Sequence, residues 1–274
     1  MNGAMIATPT PAPHWGSDAA PDGAALSPSQ ITSYLNCSAA WHYKYRLNCP
    51  ETKTGALALG RAVHAAIAAS LIHSATTDND YDAADYRIEA RAACAVELLT
   101  AELREDEDAA ALCDKAAEMA EAFGVQHTTI LPAMIDGRPA VELQLLGNVA
   151  GVPVRGIADC VTESGCIIDF KTSSRSPSGV SNAHRIQLTT YAELTGCGQA
   201  KIVTITKAVS PKVIEQTFPI LPSDREHVRQ LFPIVADAMA QGFAIPNRTS
   251  TFCSRKYCSF WRQCQQDYGG TVAG

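Results

Sequence analysis

One stretch constrains this chain more than any other: G-I-A-D-C-V-T-E-S-G-C-I-I-D-F-K-T, residues 156–172. Two apolar runs flank the turn-prone Glu163-Ser164-Gly165, the pattern of two strands joined by a short loop. Strand side chains alternate faces, so Asp169 and Lys171 project together while Phe170 points into the opposite layer. If the turn closes a hairpin, Asp159 returns beside Asp169, and two carboxylates and an ammonium converge.

Two like charges a few ångströms apart resist ionising together unless a cation lies between them. Hard divalent ions such as Mg²⁺ and Mn²⁺ take oxygen ligands and still leave room for waters and a phosphate oxygen. A lysine alongside could hold or activate the attacking water, which is hydrolytic phosphodiester chemistry. The same residues are compatible with a hairpin whose surface Asp and Lys make a weak cross-strand salt bridge. Their neighbours decide between the two.

Ser27 is a good N-cap, Pro28 suits the first helical position and Gln30 completes a capping box, so a helix is expected from there to about Leu47. A second helix is expected over 56–74, with Gly60 and His64 four apart on one face. One or two long helices should fill 81–126. The period then changes: strands are expected at 141–146, 152–161 and 166–172, with turns at Gly147-Asn148 and at 163–165. A helix over 182–195, strands near 201–207 and 213–218, and a helix over 223–241 kinked at Pro233 follow. The order predicts an α/β core.

Residues 1–25 lack apolar periodicity and are expected to be a disordered tail. The remaining divisions are a helical region over 26–135, a core over 136–245 and a Cys-rich lobe over 246–274. The tail does not resemble a secretory signal, and no apolar run is expected to reach the roughly 20 residues of a membrane span. Those readings predict a soluble cytoplasmic protein. A net charge of −6 disfavours a generic nucleic-acid coat, although an enzyme whose site collects carboxylates needs only a local basic groove.

Four motifs occur in order: Gly60…His64 on a helix, Gly156…Asp159 on a strand, Asp169…Lys171 on the next, and Gln187…Tyr191 on a helix. In this the chain resembles the RecB-like branch of the PD-(D/E)xK nuclease superfamily, marked by G-x-x-x-H, G-x-x-D, D/E-x-K and Q-x-x-x-Y. Ala158 stands where the superfamily name has proline, and Asp169 is the shorter acid of the D/E-x-K motif. The resemblance implies a restriction-endonuclease-like core, with a central mixed sheet flanked by helices. It implies that His64, Asp159, Asp169 and the backbone carbonyl of Phe170 ligate Mn²⁺ or Mg²⁺, and that Lys171 serves the water and the developing charge. Gln187 and Tyr191 would position Lys171 and the DNA backbone. Glu142, at the start of the first strand, is expected as a further acid near the site.

Cys253, Cys258 and Cys264 lie close together in the sequence, and three thiolates need a fourth partner to close a zinc site or an iron–sulfur cubane. No histidine follows Cys253. Cys37 matches the place where iron–sulfur members of this branch carry their first cysteine, and Cys49 is its rival. The resemblance thus implies a [4Fe–4S] cluster held by Cys37, Cys253, Cys258 and Cys264, with Zn²⁺ or free thiols as alternatives. Such a clamp would close a loop of more than 200 residues. Aromatic and basic residues around both ends (Trp41, Tyr43, Lys44, Tyr45 and Arg46; Arg255, Lys256, Tyr257, Trp261 and Arg262) suit either packing around a cluster or stacking on a single strand.

The implied function is a metal-dependent DNA exonuclease acting on single-stranded ends in recombination, repair or phage DNA processing. No Walker-type loop is present, so no ATP-driven unwinding is expected of this chain, and any helicase or recombination protein it works with would be separate. A non-catalytic DNA-binding scaffold subunit and an endonuclease are the alternatives.

Overall fold

The computed structural model describes residues 25–77, 79–126 and 129–274. The expected tail lies outside the described residues except for Ala25, which is buried and belongs to the folded part.

The chain opens with α1 (Pro28–Asn36), α2 (Ser38–Trp41) and a π-helical turn over His42–Arg46. The single helix expected to reach Leu47 is therefore interrupted. Cys37 is extended (φ −161°, ψ 101°), and its neighbours bind the C-terminal lobe instead of continuing the helix. Asn247 Nδ2 donates to the Asn36 carbonyl at 2.8 Å, and Ser38 Oγ donates to the Ile245 carbonyl at 3.1 Å. Three longer helices follow: α3 (Gly55–Thr76), capped by Thr54, α4 (Ala83–Leu98), which opens with a capping box between Asp82 and Asp85, and α5 (Ala109–Gln126).

A small hairpin, β1 (Met134–Ile135) and β2 (Arg138–Pro139), turns through Asp136 (φ 49°) and Gly137 (φ 76°). This Asp-Gly pair, at the start of the expected 136–245 core, is a hairpin signal that the sequence reading passed over. The main sheet comprises β3 (Val141–Val149), β4 (Val152–Val161), β5 (Cys166–Ser173), β6 (Gln199–Thr206) and β7 (Val213–Pro219), side by side in that order. Only β5 and β6 are parallel, because α6 (Asn182–Thr195) carries the chain back between them. Last come α7 (Pro222–Ala240), which continues through Pro233, and α8 (Trp261–Tyr268). The α/β class expected from the sequence is the one observed.

The β3–β4 turn is displaced from the expected Gly147-Asn148 to Ala150 (φ 49°) and Gly151 (φ 89°). Asn148 caps it from within the strand, its Oδ1 accepting from the Gly151 N–H at 2.6 Å. Gly147 is needed for packing, since a Cβ there would lie 2.7 Å from Leu194 Cδ2 of α6.

Helices cover both faces of the sheet. Leu59, Val63 and Ile67 of α3 join Met119 and Phe123 of α5 against Ile168, Phe170, Val203 and Ile205. On the other face Leu188, Tyr191 and Ala192 of α6 pack on Leu145, Ala158, Ile167 and Ile202. Both β5 and β6 are thus buried on two sides, which their near-continuous apolar runs require. A third cluster joins Ile31 and Trp41 to Phe232 and Val235 of α7.

By length and composition α3 would qualify as a membrane-spanning helix, which corrects the expectation that no apolar run reaches that length. Here its apolar positions form the interface between the sheet and α4–α5.

Candidate active site

Regular pairing between β4 and β5 is confined to Cys160–Ile168 and Val161–Ile167. One step further on, Asp159 and Asp169 stand opposite each other where the strands part. Asp159 bridges the opening, its Oδ2 accepting from the Phe170 N–H at 2.7 Å. The hairpin therefore returns Asp159 beside Asp169, as expected. The site lies in the cleft between two strands, open to side chains from helices on both faces.

A second irregularity lies next to this opening, on β3. Glu142 has φ 49°, a left-handed conformation that costs a non-glycine residue of the order of 1–3 kcal/mol. It falls between the partner pairs Val141–Cys160 and Leu143–Ala158, which share one register, so it sits opposite Asp159. Both strands change face at this step: Val141 and Cys160 pack toward α3, whereas Leu143 and Ala158 pack toward α6. The Glu142 carboxyl is pushed above its usual range by desolvation and by the charge of Asp159.

From α3, His64 Nδ1 lies 3.6 Å from Asp159 Oδ2, and the imidazole is hydrogen-bonded to the backbone of Phe170. Burial, followed by the Lys171 ammonium, holds His64 down to about 4, so the ring is neutral and able to act as a ligand at physiological pH. Gly60, one turn earlier, lets α3 approach β5, because a Cβ there would sit 3.1 Å from Thr172 Oγ1.

From β5, Asp169 is 2% exposed. Its Oδ1 accepts from Lys171 Nζ at 2.7 Å and from Gln187 Nε2 at 3.2 Å. Its Oδ2 is buried and has no hydrogen-bond partner. Burial raises both Asp159 and Asp169, with Lys171 opposing the shift in each and Asp159 adding to it at Asp169. Phe170 points to the other layer, edge-on to Phe123 with ring centroids 5.5 Å apart. From α6, Tyr191 hydrogen-bonds to Gln187 and to the backbone of Ile157.

One neighbour was absent from the sequence reading. His184, three residues before Gln187, feels the charges of both Lys171 and Asp169, and burial holds it below its usual range. Extending the Gln187/Tyr191 helix face backward by one turn would have found it.

Among the described residues, no three His, Cys, Asp or Glu side chains are drawn into a closed metal-binding group. The two aspartates are turned to the N–H and ammonium donors beside them. The donor set nevertheless fits a hard divalent ion. Two desolvated carboxylates and a neutral imidazole meet where one carboxylate oxygen has no partner, and a buried carboxylate oxygen without compensation is costly.

The C-terminal lobe brings Cys37, Cys253, Cys258 and Cys264 onto one cavity of 210 Å³. Cys49 packs nearby without lining it. All ten cysteines are free thiols. The Asn247 N–H donates to Cys37 Sγ at 3.4 Å, and the Phe260 backbone hydrogen-bonds to the Cys258 thiol. Four thiols lining one cavity are a donor set that an iron–sulfur cluster or a zinc ion could use, although among the described residues no three of them are drawn into a closed metal-binding group. The surrounding aromatics divide. Trp41 and Tyr43 are core residues, with Tyr43 donating to Asp267 at 2.7 Å, so neither can stack on a base. Tyr257 and Arg262 are exposed, and Arg255 lies 4.9 Å over the Trp261 ring.

Among solved structures, a candidate exonuclease from Eubacterium rectale is similar in fold, with a TM-score of 0.59 and 12% identity over 88% of each chain. SSO0001 is 24% identical over 45% of this chain and 58% of its own, but its TM-score of 0.35 carries no argument. No curated protein matches the sequence. The sequence profile of the PD-(D/E)XK nuclease superfamily matches residues 25–265, a span that takes in the split hairpin, both flanking helices and the cysteine lobe. With the acid pair and lysine placed on that sheet, the chain belongs to the PD-(D/E)XK nuclease superfamily.

Proposed function

We propose that this nuclease is a metal-dependent DNA exonuclease of the RecB-like branch, acting on single-stranded ends and working in the cytoplasm beside a separate helicase. The observation that carries the reading is Asp169: buried, bonded to Lys171 and Gln187 through one oxygen, and left with the other oxygen unpartnered opposite Asp159 and His64. His64, Asp159, Asp169 and the Phe170 carbonyl would hold Mn²⁺ or Mg²⁺. Bound there, the ion supplies Lewis acidity toward a phosphate oxygen and lowers the pKa of a water.

The remaining work falls to the chain's own residues. Lys171 presents an ammonium to the attacking water and to the charge that develops on the phosphate. Gln187 steadies Asp169, and Tyr191 anchors Gln187 against β4. His184 adds a polar group within the field of Lys171 and Asp169. Cys37, Cys253, Cys258 and Cys264 would hold a [4Fe–4S] cluster that fastens the N-terminal helices to the C-terminal lobe, so the segments 26–135, 136–245 and 246–274 act as one catalytic unit.

The test is degradation of end-labelled single-stranded DNA by anaerobically purified protein with Mn²⁺ or Mg²⁺. Asp169→Ala and Lys171→Ala should each abolish it. Full activity in either variant removes the assigned site, and cutting of circular DNA would make the enzyme an endonuclease.

A further inference from the structure

The cavity between the four cysteines is lined by only two charged residues, Glu51 and Arg248. Glu51 is neutralised by Lys44, whose Nζ lies 2.5 Å from Glu51 Oε2. Arg248 has no carboxylate partner among the ion pairs of the described residues. Its Nη2 donates to the carbonyls of Cys264 at 3.3 Å and Gly269 at 2.9 Å, which fixes the guanidinium plane. Its Nη1 is buried and has no hydrogen-bond partner. A buried, charged donor without an acceptor costs several kcal/mol unless something in the site accepts from it. Arg248 lines the same cavity as Cys37, Cys253, Cys258 and Cys264, and it is tied to the backbone of one of them, Cys264.

Resting on the reading of the cysteine cavity as an iron–sulfur site, we propose that Arg248 is the charge partner of that cluster, donating through Nη1 to one of its sulfurs. Four thiolates around a [4Fe–4S]²⁺ core sum to a double negative charge, and reduction by one electron makes it triple. A fixed cation on the same cavity favours the more negative state, so it raises the reduction potential. Hydrogen bonds and net charge are the levers by which a protein sets the potential of such a cluster. Arg248 is thus a positioning and tuning residue, distant from the hydrolytic chemistry. It would give this nuclease a cluster that responds to electron supply and is not a purely mechanical clamp.

The experiment uses the full chain, purified anaerobically, with iron, acid-labile sulfide and zinc measured first. The cluster is then titrated with dithionite under EPR detection. Arg248→Gln keeps a side-chain donor but removes the charge, and should shift the one-electron equilibrium at least tenfold toward the oxidised state, about 59 mV lower. Arg248→Lys keeps the charge and should stay near the wild type. A second measurement needs no variant: in protein labelled with ¹⁵N-guanidino arginine, pulsed EPR of the reduced cluster should show a ¹⁵N coupling. An unchanged midpoint in Arg248→Gln, a lysine variant as low as the glutamine one, or no ¹⁵N coupling overturns the role of Arg248 while the cluster reading stands. Zinc without sulfide in the wild type overturns the cluster reading and the inference with it.

Discussion

A Cβ on Gly156 would lie 2.4 Å from Cε1 of Tyr191, so the glycine of one motif exists to seat the tyrosine of another. The ring fills the space over β4, and from there Tyr191 reaches Gln187, which in turn donates to Asp169. Strand and helix motifs more than 30 residues apart are one mechanical unit.

Gly156→Ala tests that unit. Overpacking of this kind costs roughly 1–3 kcal/mol, a fall in Tm of roughly 2–12 °C for a chain of this size. Activity should drop as Gln187 loses its anchor. Adding Tyr191→Leu should restore much of the Tm without restoring cleavage, read by calorimetry and nuclease assay. A double variant no more stable than Gly156→Ala would mean that the glycine is needed for another reason.

Asp159→Asn separates charge from shape, since the amide oxygen can still accept from the Phe170 N–H. Burial raises the Asp159 carboxyl, so its ionised form is held at a cost, and removing that charge should leave Tm unchanged or higher without divalent ions. Cleavage should fall by about a hundredfold or more, ~2.7 kcal/mol of barrier. The rise in Tm on adding Mn²⁺ should disappear. A variant that is still stabilised by Mn²⁺ would exclude Asp159 as a ligand.

His64 makes stability depend on pH in a defined window. Its folded value is held down to about 4 from 6.5, so between those limits the unfolded chain binds the extra proton. Stability from this group is therefore complete above about pH 6.5 and is lost as pH falls toward 4. The raised aspartates act in the opposite sense, taking up protons in the fold. The contribution of His64 is thus best isolated by difference: in His64→Gln the loss of Tm between pH 6.5 and 4 should be smaller than in the wild type. Parallel curves would contradict the assignment.

His184→Ala should slow cleavage by on the order of tenfold, about 1.4 kcal/mol, with little change in Tm. The side chain feels the charges of Lys171 and Asp169, whereas the helix is held at this residue by the backbone N–H, which donates to Ser181 Oγ at 3.2 Å. Thermal melts beside steady-state kinetics distinguish a role at the site from a structural one.

Local chemistry made much of this protein legible before folding. Alternation in β5 put Asp169 and Lys171 on one side and Phe170 on the other, and α6 begins and ends where its Ser181 cap and Gly196 stop signal it. Both depend on contacts a few residues long. What lay beyond the sequence depends on partners far along the chain. Gly147 reads as a turn residue until Leu194 is seen against it, and Cys37 reads as helical until Asn247 and Ile245 draw its neighbours out. The change of face at Glu142 and Asp159 breaks the period-two rule on two strands at once. Periodicity records which residues are apolar. Only tertiary packing decides where backbone strain is tolerated, and here it sits on β3 at Glu142, opposite Asp159.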